Sequence, residues 1–365
     1  MNYKYKVVVD CRMLGKSGIG VFIKNIIENL VIDETYDFYL LGDAEKIKLL
    51  DVNLCNCKII NFCADPFSLR EQIHFPYSIV NKCDLYFTPN FNLPFFIKIP
   101  IISGIHDLLF LDVDRIVSKI GKFIRKLFLV YAFNKSNSLF TVSNFSKSRL
   151  IYHFGSNKKI TILYNGIDSQ LQKFFIANDT ESLSNGDYVL YVGNVKPHKG
   201  INLLINAYIE AKNEGFNKKL VIVGNKNNFR TSLDLDEYFL RNNDIEFTGY
   251  LNCDKLYKLM YNASALIQPS IYEGFGIPPL EAMFLGTPAF ISDIEVFKEI
   301  YANTPAQFFV SNDVNSLKNL LLNGNYDKVI LSKNVNEKFS FANSSKDLSI
   351  LILKTIHSYE SIATR

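Results

Sequence analysis

Short runs of β-branched and aliphatic residues alternate with longer stretches of helical periodicity along nearly the whole chain. In the first half the pattern predicts strands at YKVVVD (5–10), DFYLLG (37–42), CKIINF (57–62), DLYFTP (84–89), Ile99 and Ile101 to Asp107, SLFTVS (138–143) and KITILYNG (159–166). In the second half it predicts DYVLYVGN (187–194), KLVIVG (219–224), DIEFTGY (244–250), ALIQPS (265–270) and TPAFISD (287–293). Continuous apolar strands separated by helices belong to parallel sheets covered on both faces. Between Phe175 and Asp187 the polar stretch IANDTESLSNG interrupts this pattern, which then restarts. The expected organisation is therefore α/β, two Rossmann-like doubly wound domains in tandem, the first over 1–175 and the second from 176. Ligands of such folds bind beyond the carboxyl ends of the strands, so the expected site lies in a central cleft between the domains.

Length agrees with two domains, because 365 residues exceed the roughly 250 to 300 at which a single core stops growing. Charged residues are 21% and hydrophobic residues 48% of the chain, which is globular composition. The six cysteines form no CxxC pair and read as reduced, in a cytoplasmic protein. The start, MNYKYKVVVD, enters a strand pattern without a signal-peptide profile. No uncharged apolar run reaches the length of about 18 residues that a membrane span needs. Charge is uneven: residues 1–175 hold 22 Lys/Arg against 15 Asp/Glu, and residues 176–365 hold 18 against 21. The basic first half implies an anionic partner, either a membrane surface or a phosphorylated substrate. Nucleic acid is not expected, since the cations form no stripe interleaved with exposed aromatics.

The chemistry concentrates in YEGFGIPPLEAM, residues 272–283. Pro279 suits the first turn of a helix that Gly286 ends, and a helix N-terminus behind a glycine-rich loop attracts anions. Gly274 and Gly276 let the backbone approach a ligand closely. Glu273, before the loop, and Glu281, read as projecting from the first helical turn, can accept hydrogen bonds from two sets of vicinal hydroxyls. Position alone equally allows Glu281 to complement the helix dipole and Glu273 to be a solvated loop residue.

The surrounding words resemble glycosyltransferase family 4, the retaining nucleotide-sugar transferases of GT-B fold, whose signature pairs two glutamates across seven residues. Here the phrase is PSIYEGFGIPPLEAMFLGTP, Pro269 to Pro288, and the family's other phrases follow in order: DCRMLGKSGIG (10–20), GIHDLLF (104–110), TVSNFSK (141–147), LYNGID (163–168), YVGNVKPHKGI (191–201), LVIVG (220–224) and FTGYLNCDKLYKLMYNASALIQPS (247–270). The resemblance implies that Glu281 holds the ribose of a nucleotide-sugar donor and Glu273 the transferred sugar. Phe275, Gly276 and Ile277 would line the sugar and phosphate pocket with Gly274, and Lys199 would neutralise the diphosphate. Gly18, Ile19, Gly20, Asn194, Gly224 and Tyr250 fall at donor-side positions of the same phrases. Many members carry an arginine where this chain has Asn194, leaving Lys196 or His198 as substitutes. It further implies a metal-independent reaction without cofactor, a GDP-, UDP- or dTDP-sugar as donor, and a lipid-linked oligosaccharide acceptor of a surface polysaccharide such as O-antigen or capsule. A last segment, 345–365, would form a helix returning to the first domain, so that the donor domain ends at 344.

Four readings remain. The SGIG segment, Ser17–Gly20, reads as a loop after the first strand whose N–H groups reach donor phosphates, or as a plain tight turn; Ile23 stands where a dinucleotide fingerprint needs its third glycine. Arg12, with Asp10, is open between acceptor contact and a structural ion pair. By itself His106, with Asp107 at a strand end, reads as a structural residue, whereas the resemblance turns it toward the transferred sugar, with Asp107 toward the acceptor. Finally, DRIVSKIGKFIRKLFLVY, 114–131, spaces Arg115, Lys119, Lys122 and Lys126 beside Ile116, Ile120, Phe123 and Leu127. This is a basic amphipathic helix, suited either to the core or to an anionic membrane surface at the inner face of the cytoplasmic membrane.

Overall fold

The computed structural model describes residues 4–114, 116–178, 186–224 and 244–363. It divides into two compact units, Met1–Gly166 with Lys338–Arg365, and Ile167–Glu337. The sequence had set these limits at 175 and 344.

In the first unit the strands are β1 (Tyr5–Asp10), β2 (Tyr36–Gly42), β3 (Cys57–Asn61), β4 (Leu85–Thr88), β5 (Ile101–Gly104), β6 (Ser138–Thr141) and β7 (Ile160–Ile162), in the order β3-β2-β1-β4-β5-β6-β7. Every pairing is parallel. Val7, Val8 and Val9 in β1, an interior strand, are wholly buried, as a strand covered on both faces must be. The helix Phe341–Ala363 belongs to this unit. It is stitched there by Tyr36 Oη donating to the Ser349 carbonyl at 2.9 Å and by Ser138 and Thr355 hydroxyls 2.7 Å apart.

The second unit holds β8 (Tyr188–Val192), β9 (Lys219–Val223), β10 (Ile245–Gly249), β11 (Ala265–Gln268), β12 (Ala289–Ser292) and β13 (Gln307–Phe309), ordered β10-β9-β8-β11-β12-β13 and again parallel. β13 was not expected: it is a three-residue edge strand, too short for a periodicity. Its core gathers Val189, Tyr191, Leu204, Tyr208, Leu220, Ile222, Ile267 and Phe290. In each sheet the chain order reverses once, at β1/β4 and at β8/β11. The carboxyl ends at these reversals are where a doubly wound sheet offers room for ligand.

Two helices begin elsewhere than expected. Ser17–Gly20 is not a loop but the first turn of the helix Ser17–Leu30. Gly20 is required there because a Cβ would stand 2.5 Å from the Met13 carbonyl oxygen. The basic helix runs Lys119–Lys135, begun by Ser118, whose Oγ accepts from Gly121 N at 3.1 Å. Ile116 therefore precedes it, and Arg115 lies outside the described residues.

Candidate active site

At the β8/β11 reversal the chain leaves Gln268 through PSIYEGFG and enters the helix Ile277–Phe284. Gly276 turns the corner with φ +84°, and a Cβ there would overlap the Phe297 ring. Its carbonyl is held by Tyr301 Oη. Pro278 and Pro279 occupy the first turn, where a missing N–H costs nothing. Glu281, the fifth residue of the helix, therefore starts the second turn, not the first as the sequence suggested, because the helix begins before both prolines. The helix dipole acts mainly within the first turn, so the dipole-complementing alternative for Glu281 loses its basis.

Glu273 is no solvated loop residue. Its side chain is 11% exposed, and Oε1 accepts from Lys199 Nζ at 2.6 Å, Ser270 Oγ at 2.8 Å and Gln268 Nε2 at 3.4 Å. Gln268 also donates to Ser270 Oγ at 2.9 Å. Lys199 ends the short turn Pro197–Lys199, and Gly200 follows with φ +68°, pressed so close to the Pro269 carbonyl that a Cβ would overlap it. The His198 carbonyl accepts from Ile271 N at 2.9 Å. The two phrases PHKG and PSIYEG are thus bolted together by backbone contacts, and Lys199 meets Glu273 as a consequence. Gln268 and Ser270 were missed as positioning residues. Their signal was two polar side chains at the end of an otherwise apolar strand, both now buried.

Asn194 is exposed beyond β8, and Gly224 bridges to Gly249, with Tyr250 after it fully open to solvent. Of the two substitutes for the missing arginine, His198 is buried, and burial and the Lys199 charge pull it down to about 4 against the opposing Glu273 carboxylate. It is neutral near pH 7, which leaves the exposed Lys196 as the available cation.

In the first unit, Arg12 shows the ion-pair alternative. Its buried guanidinium pairs with Asp10 at 2.6 Å and with Glu71, under the Phe62 and Phe75 rings. Tyr86 Oη donates to Asp10 Oδ2 at 2.8 Å. Burial pushes the Asp10 carboxyl up, but the Arg12 charge and hydrogen bonds win and hold it low. Gly18 lies exposed at the start of its helix, beside Ile19.

His106, after β5, packs edge-on to Phe22 with ring centres 4.9 Å apart. Burial lowers it to about 4 against a hydrogen bond with the Pro89 backbone, and its Nε2 has no partner among the described residues. A neutral imidazole bonded through its other nitrogen presents Nε2 as an acceptor for a hydroxyl. Asp107 Oδ1 accepts from Leu109 N at 3.0 Å, a local turn.

The buried neutral state of His106 makes stability pH-dependent. An unfolded histidine takes up its proton near 6.5 and the folded one only near 4. Stability is therefore full above about 6.5 and falls as pH drops toward 4, by roughly 3 kcal/mol from this residue. Urea unfolding across that window should show the fall, and His106→Gln should reduce it by this residue's share while leaving that of His198, which is lowered likewise; an unchanged slope would refute the assignment.

The family model described as "Glycosyl transferases group 1" matches residues 172–343, and that described as "Glycosyltransferase Family 4" matches residues 51–171. An uncharacterized glycosyltransferase of Methanocaldococcus jannaschii is 29% identical over 57% of this chain and 55% of its own. The O-antigen chain mannosyltransferase RfbU of Salmonella typhimurium is 32% identical over 50% of each. The chain thus spans about half the length of these curated relatives. Among solved structures, Anabaena HepE in complex with UDP and glucose superposes with a TM-score of 0.66 at 15% identity, covering 99% of this chain and 100% of that one. WaaG, a glycosyltransferase involved in lipopolysaccharide biosynthesis, gives 0.62 at 14%, covering 93% and 94%. With two family models abutting at residues 171 and 172, and two Rossmann-like units of the kind these structures share, the chain belongs to glycosyltransferase family 4, of GT-B fold.

Proposed function

We propose that the protein transfers a hexose from a nucleotide sugar to a hydroxyl of a lipid-linked glycan, with retention of anomeric configuration and without a metal ion, while in peripheral contact with an anionic membrane. The observation that carries the reading is the Lys199–Glu273 pair, 2.6 Å long, at the carboxyl end of β11 before a helix N-terminus. A lysine and a helix start are suited to the charge that builds on a departing diphosphate. Glu273, acceptor-only and fixed by three donors, keeps lone pairs for sugar hydroxyls. Glu281 would take the ribose and His106 Nε2 a sugar hydroxyl.

No side chain here is assigned as the base. In this reading the leaving diphosphate oxygen accepts the proton of the incoming hydroxyl on the same face, so the protein's contribution is positioning and electrostatics. Two relatives are named O-antigen chain mannosyltransferases, which makes GDP-mannose the first donor to try.

The test is incubation with GDP-, UDP- and dTDP-sugars and a lipid-linked oligosaccharide, in the presence of a chelator, with the linkage read by NMR. An α-linked product from an α-donor at undiminished rate is the expected result. An inverted product, a chelator-sensitive rate, or conversion of the donor sugar to its epimer without acceptor would overturn the proposal.

A further inference from the structure

The helix Lys119–Lys135 carries five basic and no acidic residues. Its face Ile120, Phe123, Ile124 and Leu127 is exposed by 75%, 63%, 43% and 54%. These four follow the i, i+3, i+4, i+7 spacing of one helical stripe. A core-facing helix would bury that stripe, and this one leaves it in water.

The helix is not alone. Phe95 stacks on Phe128 of the same helix with ring centres 5.6 Å apart, and Tyr131 Oη donates to the Phe95 carbonyl at 2.9 Å. Next to it Phe96 is 64% exposed. On the other side, Phe95 N donates to Gln72 Oε1 at 2.9 Å, tying in the short helix Leu69–His74. There Leu69 and Ile73, four residues apart, are 80% and 71% exposed. Three segments distant in sequence are thus locked together, each with bare apolar side chains. Arg70, Lys98, Lys119, Arg125 and Lys126 are exposed among them. The nearby Asp114 is taken by Lys122 at 3.2 Å.

From this we infer that the first unit docks on an anionic lipid surface through a composite face, in which Leu69/Ile73, Phe96 and the Ile120–Leu127 stripe enter the interface and the surrounding cations meet the headgroups. Charge complementarity selects the occupant: apolar side chains ringed by Lys and Arg, with little acid, fit an anionic bilayer better than a second copy of the same positive face. The inference rests on the membrane contact proposed above, and sharpens it from one helix to three segments.

The chain has no tryptophan, so Phe96→Trp creates a single fluorescent reporter. With vesicles of phosphatidylcholine and phosphatidylglycerol its emission should shift to the blue and be quenched by brominated acyl chains. The same change at Ile330, 88% exposed in the second unit, should do neither. In co-sedimentation, Ile73→Ser with Phe96→Ser and, separately, Phe123→Ser with Leu127→Ser should each weaken vesicle binding by roughly tenfold or more. All four positions are exposed, and circular dichroism checks that the variants fold. Binding unchanged in the Ile73/Phe96 pair, or no preference for phosphatidylglycerol, would overturn the composite face. So would a lipid-free dimer that these substitutions make monomeric. Vesicle binding needs neither donor nor acceptor, and transfer to a detergent-solubilised acceptor needs no vesicle, so the membrane face and the transfer reaction fail separately.

Discussion

Lys199→Met is expected to lower kcat/KM by roughly 10²- to 10³-fold, mostly in kcat, with far less effect on stability. Lys199 is partly exposed and its ammonium meets Glu273 at 2.6 Å. In the proposed reaction it must also serve the leaving diphosphate, where charge develops, so removing it withdraws stabilisation that is greatest in the transition state. Glu273→Gln keeps the shape and leaves an amide beside Lys199, so it tests the carboxylate alone. The two residues touch, and their effects should be far from additive: the double variant is expected to lose little beyond the worse single one. A structural ion pair would behave otherwise, with kcat kept and the loss appearing in urea midpoints. Steady-state rates and unfolding curves on the same three variants separate these outcomes.

Much of this architecture is legible in the chain because a parallel strand buried on both faces is written as a continuous apolar run; Val7–Val9 and Leu266–Ile267 are examples. β13 is not, since three residues at an edge carry no period. The start of a helix is harder still. Lys119 begins its helix because Ser118 caps it, while charge spacing alone extends the pattern back to Arg115. At Ser17–Gly20, glycine content suggests a loop although the helix starts there, with Ser17 itself at φ +56°. Contacts across distant sequence are the least legible. Glu71 follows Ser68 in a helix-capping arrangement, Ser68 Oγ accepting from Glu71 N at 3.1 Å, and nothing local reveals that its carboxylate is the buried partner of Arg12. The Glu273 site stood out through its glycines and prolines. Its supports, Gln268 and Ser270, became visible only with the strand end in three dimensions.

Gly200→Ala is expected to cost roughly 3 kcal/mol of stability and, beyond that, most of the transfer activity. Two penalties add. At φ +68° an alanine occupies the left-handed region, and its Cβ would overlap the Pro269 carbonyl, which is backbone and cannot rotate away. Relief requires the turn Pro197–Lys199 to move off the strand end, and that motion would stretch both the bond from Ile271 N to the His198 carbonyl, 2.9 Å, and the Lys199–Glu273 pair. A displacement of about 1 Å at a positioning residue can lower a rate about 10²-fold. The site should therefore fail even at temperatures where the variant is fully folded. Gly215→Ala is the control: it also has a positive φ, +97°, but nothing lies within 4 Å of its Cβ, so only the smaller backbone penalty applies and activity should persist. Equal melting temperatures and equal turnover for the two variants would show that PHKG and PSIYEG are not held together as described.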